Sequence, residues 1–230
     1  MKTEYRQRLP HIQPIGATFF VTFRLFESIP VSALKEINEE YALELNRAEI
    51  IRDIQERNAS IFNIRKKYIV EYEKILDCIK TGHHYLKQED VMQLIKNELH
   101  RFDGTFYDLI AYSIMSNHVH ILIDTSIQTS KNEMLIESKS QYVQLDTIMK
   151  RIKAPIARHA NKLLNRSGQF WARESYDIYI RNEKMLVKVT SYILENPVKA
   201  GIVNAWDEYK GNYLKNDHYW RFKFNLKLNE

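Results

Sequence analysis

Only one of the 230 residues, Cys78, is a cysteine, so the chain can form no internal disulfide and no thiolate zinc cluster. A bound metal must therefore sit on histidine, asparagine or carboxylate ligands. No run of about 18 apolar residues is present to span a membrane, and the opening MKTEYRQRLP has none of the apolar stretch of a secretory signal. A cytoplasmic protein without membrane contact is expected. Between Pro30 and Gly82 there is no glycine or proline, which leaves a long tract with no turn punctuation. What is there is a 44% hydrophobic, 12% aromatic composition, enough to bury a full core, read as one domain over 1–230 with an insertion.

The formal net charge of +5 says little until it is mapped. From Asp146 to Lys199 there are 11 Lys and Arg against 5 Asp and Glu, while the remaining residues hold 23 and 24. The basic character is confined to that stretch, which suits a surface facing a polyanion; a solvated helical face is the alternative.

Coarse patterning gives the order of elements. Ala17–Leu25 (ATFFVTFRL) reads as a core strand after the turn Pro14–Gly16. Apolar residues between Pro30 and Gly82 recur at helical spacing, predicting two long helices, or a bent one, with a break near Asn58–Ser60. Gln88–His100 reads as a helix with the stripe Val91, Leu94, Ile95 and Leu99. Two strands, Phe106–Met115 and His118–Asp124, flank a hairpin connection at Ser116–Asn117. Thr125–Gln144 reads as a surface loop, and Asp146–Asn165 as a basic helix with Pro155 inside it as a kink. Phe170–Ile180 is expected to be a strand, and Asn182–Asn196 a helix stopped by Pro197. This order fits an α+β domain with an antiparallel sheet.

The sharpest local feature is Asn117-His118-Val119-His120. Alternate residues of a strand share a face, so His118 and His120 project together and can hold one divalent ion while Val119 turns into the core. The pattern also occurs by chance on edge strands. A second element is the helix with Lys188, Tyr192 and Asn196 four apart, a face bearing a cation, a phenol and an amide. A phenol titrates near 10, so attack on phosphate needs a metal or base beside it. With 14 tyrosines in the chain, a packing role is the alternative for Tyr192. His83 and His84 read as a loop pair and not a metal site.

The phrases RLPHIQPIGATFFVTFRL, YDLIAYSIMSNHVHILI, GQFWARESYDIYIRNE and YILENPVKAG, in that order, resemble the REP-associated tyrosine transposases, single-tyrosine enzymes of the HUH endonuclease superfamily. The resemblance runs from about Arg8 to Gly201. Ser116 stands where the family usually has proline, a change in a turn and not in a ligand. The resemblance implies a ferredoxin-like sheet, and residues of about 27–84 match the helical insertion that some branches carry. It makes His118, His120 and Asn196 ligands of Mg²⁺ or Mn²⁺, and Tyr192 the nucleophile. The implied reaction is nicking and strand transfer on single-stranded or hairpin repeat DNA through a 5′-phosphotyrosine, by a monomer or homodimer at a prokaryotic nucleoid.

On this reading Lys150, Arg151, Lys153, Arg158 and Lys162 of the basic helix follow the DNA backbone, with Arg173, Arg181 and Lys188 nearer the scissile phosphate. Phe170, Trp171, Tyr176 and Tyr179 are candidates for base stacking or for the core. Two other readings of the residues stand beside it. One is a catalytically inactive DNA- or RNA-binding protein of the same fold, and the other a hydrolase whose histidine pair activates water.

Overall fold

A computed structural model describes residues 4–6, 10–78, 82–130, 142–173 and 175–218. In chain order the elements are β1 (Glu4–Arg6), β2 (Pro10–Ile12), β3 (Thr18–Arg24), α1 (Val31–Glu49), α2 (Ile54–Cys78), α3 (Glu89–His100), β4 (Asp108–Ile114), β5 (His118–Asp124), α4 (Ile127–Ser130), α5 (Leu145–Leu163), β6 (Tyr176–Tyr179), α6 (Glu183–Lys199) and β7 (Asn212–Leu214). They divide into two compact units, one of residues 1–25 with 84–230 and one of residues 26–83.

The larger unit is built on a five-stranded sheet in the order β6-β3-β5-β4-β7, antiparallel throughout. Numbered within the run β3-α3-β4-β5-α5-β6, the first four strands lie 4-1-3-2, the ferredoxin-like arrangement, and β7 extends the sheet beyond β4. The expected α+β antiparallel fold is the observed one. β1 and β2 form a separate two-stranded ribbon, in a segment to which the sequence patterning assigned no element.

Strand alternation divides the sheet's side chains between two helical layers. Phe19, Val21 and Phe23 of β3, Val119, Ile121 and Ile123 of β5, and Leu109, Tyr112 and Ile114 of β4 join one core cluster. Against it pack Val91, Ile95 and Leu99 of α3 and Leu145, Ile148, Ile152 and Ile156 of α5. The alternate residues of β3 and β5, Phe20, Thr22, His118 and His120, are turned to the other face, on which α6 lies and where they too are buried. The middle strand is therefore buried on both sides.

The smaller unit holds α1 and α2. Tyr41 and Tyr68 pack with ring centroids 4.5 Å apart, Tyr68 Oη donates to Asn38 Oδ1 at 2.9 Å, and Lys67 Nζ bridges Glu40 and Glu44 at 2.7 and 2.9 Å. The helix break falls at 50–53, not at Asn58–Ser60, which is helical. Its cause is Asp53, whose carboxylate accepts from the Glu56 N–H at 2.7 Å and so satisfies a free donor at the start of α2.

Three further expectations are corrected. The strand expected over Phe170–Ile180 is only Tyr176–Tyr179, because Phe170 and Trp171 leave the sheet to fill the core, Trp171 meeting Leu25 in an isolated bridge. α6 runs past Pro197 to Lys199; a proline in the last turn removes a single intrahelical bond, and the helix ends at Gly201 in the left-handed region (φ 67°). Within Thr125–Gln144 the segment is not all surface loop: α4 is helical and Thr125 and Gln128 are buried, with Gln128 bonded to Phe106 O and Val143 O. Residues 131–141 of that stretch lie outside the described residues.

The tightness of this core sets the first expectation. Ile121 is fully buried at the centre of the sheet, so Ile121→Ala should lower unfolding free energy by about 2–5 kcal/mol. A urea titration measures it, and a loss under about 1 kcal/mol would mean that β5 is not central.

Candidate active site

β5 brings its two histidines into the middle of the α6 face. Cross-strand register sets His120 opposite Thr22 of β3 and Ser113 of β4, and His118 opposite Arg24. The two imidazoles converge tip to tip, His118 Nε2 to His120 Nε2 at 2.9 Å. Their other ring nitrogens are held from behind: His118 Nδ1 lies 2.7 Å from Asn117 Oδ1, and His120 Nδ1 lies 2.8 Å from Thr22 Oγ1.

α6 closes the site from above. Its start is fixed by Asn182, whose side chain accepts from the Met185 N–H at 2.9 Å. Its far end is tied to β7 by Asn212, whose amide donates to Leu194 O and Trp206 O at 2.9 and 2.8 Å. Along one face Lys188 is exposed, Tyr192 half-buried and Asn196 buried, so the expected line of three descends toward the sheet. Asn196 Nδ2 lies 3.1 Å from His120 Nε2. The Tyr192 ring stands 5.4 Å from His120 and edge-on to Phe20 at 6.0 Å, while Phe20 stacks on His120 at 5.6 Å. Lys199 Nζ sits 5.4 Å from the Tyr192 ring centroid.

Proton placement shows what this cluster suits. Burial pushes the His118 imidazole down to about 3, and burial with the neighbouring His118 holds His120 well below its usual value, so both rings are neutral at pH 7. A neutral His118 that donates from Nδ1 to Asn117 has a bare Nε2, and its 2.9 Å neighbour must then carry a proton. Asn196 Nδ2, however, needs that same His120 Nε2 bare. Turning Asn117 over only puts two donors on one lone pair. Meanwhile Asn196 Oδ1 is buried with no hydrogen-bond partner.

Turning the Asn196 amide relieves the conflict and also makes room for a cation: with both Nε2 atoms bare, two imidazole nitrogens and an amide oxygen converge. Two ligands about 2.1 Å from a metal at a right angle lie about 3.0 Å apart, close to the observed 2.9 Å. His118 and His120 can thus hold a metal ion, and the neutral state is the one that binds it.

The basic residues are placed differently from one another. Lys150, Arg151, Lys153, Arg158 and Lys162 belong to α5, which packs on the opposite face of the sheet from the histidines. Lys150 pairs with Asp146 at 3.2 Å, Arg151 lies over Phe106 at 4.8 Å, and Arg158 and Lys162 are exposed. Arg173 and Arg181 are exposed, Arg181 lying over Tyr179 at 5.1 Å. Of these eight residues, only Lys188 shares α6 with Tyr192. Phe170, Trp171 and Tyr176 are buried and Tyr179 packs against the core, and Phe170 and Trp171 also line a cavity on the α5 face of the sheet. His84 Nδ1 lies 2.8 Å from Ser116 Oγ, next to the hairpin connection.

Four residues around the site were not singled out from the sequence. Asn117 was in view, adjoining His118, but its side-chain role was not read. Lys199 lies seven residues after Tyr192, a spacing that returns to the same helix face. Thr22 and Phe20 could be placed only by the β3–β5 register.

No protein-family model matches the chain, and no curated protein matches it in sequence. Among solved structures it is similar to one described as a REP-associated tyrosine transposase bound to a REP hairpin, at 14% identity, covering 96% of this chain and 84% of that one, with a TM-score of 0.48. So loose a likeness carries no argument about activity. That case rests on the geometry.

Two expectations follow. Folded His118 takes up its proton near pH 3, the unfolded chain near 6.5; between those values the unfolded state binds more protons, so stability is full above pH 6.5 and lost as the pH falls toward 3. The decline in urea midpoint from pH 7 to 4 should be shallower in His118→Gln than in the wild type, and equal slopes would contradict a buried neutral His118. Added Mn²⁺ should raise the wild-type melting temperature, by an amount equivalent to about 2.7 kcal/mol at a hundredfold excess over Kd. A His120→Gln variant should show little or none of that rise.

Proposed function

We propose that the chain is a metal-dependent single-stranded DNA endonuclease and strand transferase of the REP-associated tyrosine transposase type, with Tyr192 as nucleophile. The observation that carries this reading is the convergence of His118 Nε2, His120 Nε2 and the Asn196 amide beside the Tyr192 ring. A metal site alone would suit many hydrolases; a half-buried phenol one helical turn from the third ligand suits covalent transfer. The four sequence phrases and the basic stretch support a DNA substrate.

His118, His120 and Asn196 would hold the ion, and Thr22 and Asn117 would keep the two rings turned toward it. A divalent cation bound there supplies charge stabilisation to a phosphate oxygen. Tyr192 Oη attacks phosphorus as the bond to the 3′ oxygen breaks, giving a 5′-phosphotyrosine and a free 3′-hydroxyl. The proton lost by the phenol is balanced by the one gained at the 3′ oxygen. Lys199, whose Nζ lies 5.4 Å from the ring centroid, would offset negative charge developing on the attacking group. One phosphoester replaces another, so rejoining by a 3′-hydroxyl needs no nucleotide cofactor. Phe20, packed on both His120 and Tyr192, sets the distance between ligand and nucleophile.

The test is incubation of the protein and of Tyr192→Phe with labelled single-stranded hairpin oligonucleotides and Mn²⁺, followed by a denaturing gel. A covalent adduct is expected with the wild type, metal-dependent, and reduced more than about a thousandfold in the variant. Cleavage that persists in Tyr192→Phe without adduct would replace this reading by a water-activating hydrolase. Binding without any cleavage would replace it by an inactive nucleic-acid-binding protein.

A further inference from the structure

The α5 face of the sheet carries a cavity of about 500 Å³, between α5, residues 168–173, Ser175 and the edge strand β6. It is separate from the histidine site, which opens on the other face. A volume of this size is that of a small-ligand pocket. Its apolar walls include Val21, Met149, Phe170 and Trp171. Trp171 is fixed there by an Nε1 hydrogen bond to Lys153 O at 3.1 Å and by an edge contact with Phe23 at 4.9 Å, so the wall is rigid.

The polar lining is cationic at one side. Lys153 Nζ donates to Ala172 O and Ser175 Oγ, at 3.2 and 2.9 Å. Both acceptors are neutral, and among the described residues no carboxylate pairs with this ammonium. Burial, with Arg24 nearby, pushes Lys153 down to about 8. Arg173, exposed, also lines the cavity. Two carboxylates also line it, Asp146 paired with Lys150 at 3.2 Å and Asp177 accepting from Gln13 Nε2 at 3.4 Å. Gln169, whose Nε2 donates to Trp171 O at 2.7 Å, leaves its amide oxygen to meet the edge of a planar heterocycle.

An apolar slot with the Lys153 ammonium and the exposed Arg173 guanidinium beside it matches an anion joined to a flat aromatic group. We propose that this cavity takes one unpaired nucleotide of single-stranded DNA, its base against Phe170, Trp171 and Met149 and its phosphate at Lys153 and Arg173. The inference rests on the reading of the chain as a single-stranded DNA enzyme. It deepens that reading by assigning recognition to the sheet face opposite the chemistry. A base extruded into such a pocket contributes through stacking and edge contacts.

The test uses the full chain and fluorescence anisotropy with a labelled single-stranded hairpin oligonucleotide and a series of copies, each carrying one abasic site. Ala154→Phe, at an exposed position lining the cavity, fills the space without altering charge; Arg173→Ala removes the guanidinium. Both folds are checked by melting temperature. Wild-type binding should drop about tenfold at one abasic position, and that drop should vanish in Ala154→Phe, which itself binds about tenfold more weakly. Arg173→Ala should bind more weakly and reduce the salt slope by about one. If the wild type binds and forms its covalent adduct while both variants bind within twofold of it, the pocket assignment is overturned and the active-site reading stands. If the wild type neither binds nor forms an adduct, the active-site reading fails and the pocket assignment with it.

Discussion

The site depends on one strand being paired on both edges and covered on both faces. β5 lies between β3 and β4, and its odd residues Val119, Ile121 and Ile123 lock it into the core. Because side chains alternate, that anchoring leaves His118 and His120 no choice but to face α6 together. Burying two imidazoles costs free energy if either is charged, and the chain meets this by keeping both neutral. Neutral rings have lone pairs, and Thr22 and Asn117 occupy the outer nitrogens so that the inner pair converge. The same burial that stabilises the sheet therefore prepares ligands for a cation.

Charge and chemistry are distributed over two faces. The stretch from Asp146 to Lys199 is a single basic block in sequence, but folding divides it. α5 lies on the core side, and α6 lies on the histidine side. Some of its charges are already engaged, Lys150 with Asp146 and Arg151 with Phe106. An exposed ion pair such as Lys150–Asp146 contributes little to stability. A polymer touching both α5 and Tyr192 has to turn around the sheet, at an edge such as β6.

What was legible in the sequence was local and periodic. The β4–β5 hairpin, the paired histidines and the helical spacing of Lys188, Tyr192 and Asn196 follow from repeats of 2 and 3.6 residues, which short windows contain. The break between α1 and α2 is marked by Asp53 and Glu56, a capping pattern three residues apart, whereas the polar Asn58–Ser60, which has the composition of a turn, is helical. Pro197 was read as a stop, whereas Gly201 is where the backbone reverses hand. The aromatic run at Phe170–Ile180 has strand composition throughout, yet its first part folds into the core as irregular chain. Thr22 and Phe20 belong to a different class: nothing near them in sequence indicates the histidines they touch, since that relation exists only through strand register.

That register has a cost in time. Thr22 and His120 are 98 residues apart, so β3 cannot acquire its partner β5 until most of the intervening chain exists. At a synthesis rate of about 5–20 residues per second, the strand waits roughly 5–20 s. Throughout that interval Phe19, Phe20, Val21 and Phe23 form an apolar, β-prone segment with no sheet to join, the kind of stretch that nucleates aggregation. The helical unit of residues 26–83 has contacts local in sequence and can fold during the wait. A nascent chain stalled before Asp124 therefore has β3 without its β5 partner, and Tyr192 and Asn196 can join the histidine pair only once α6 has been made.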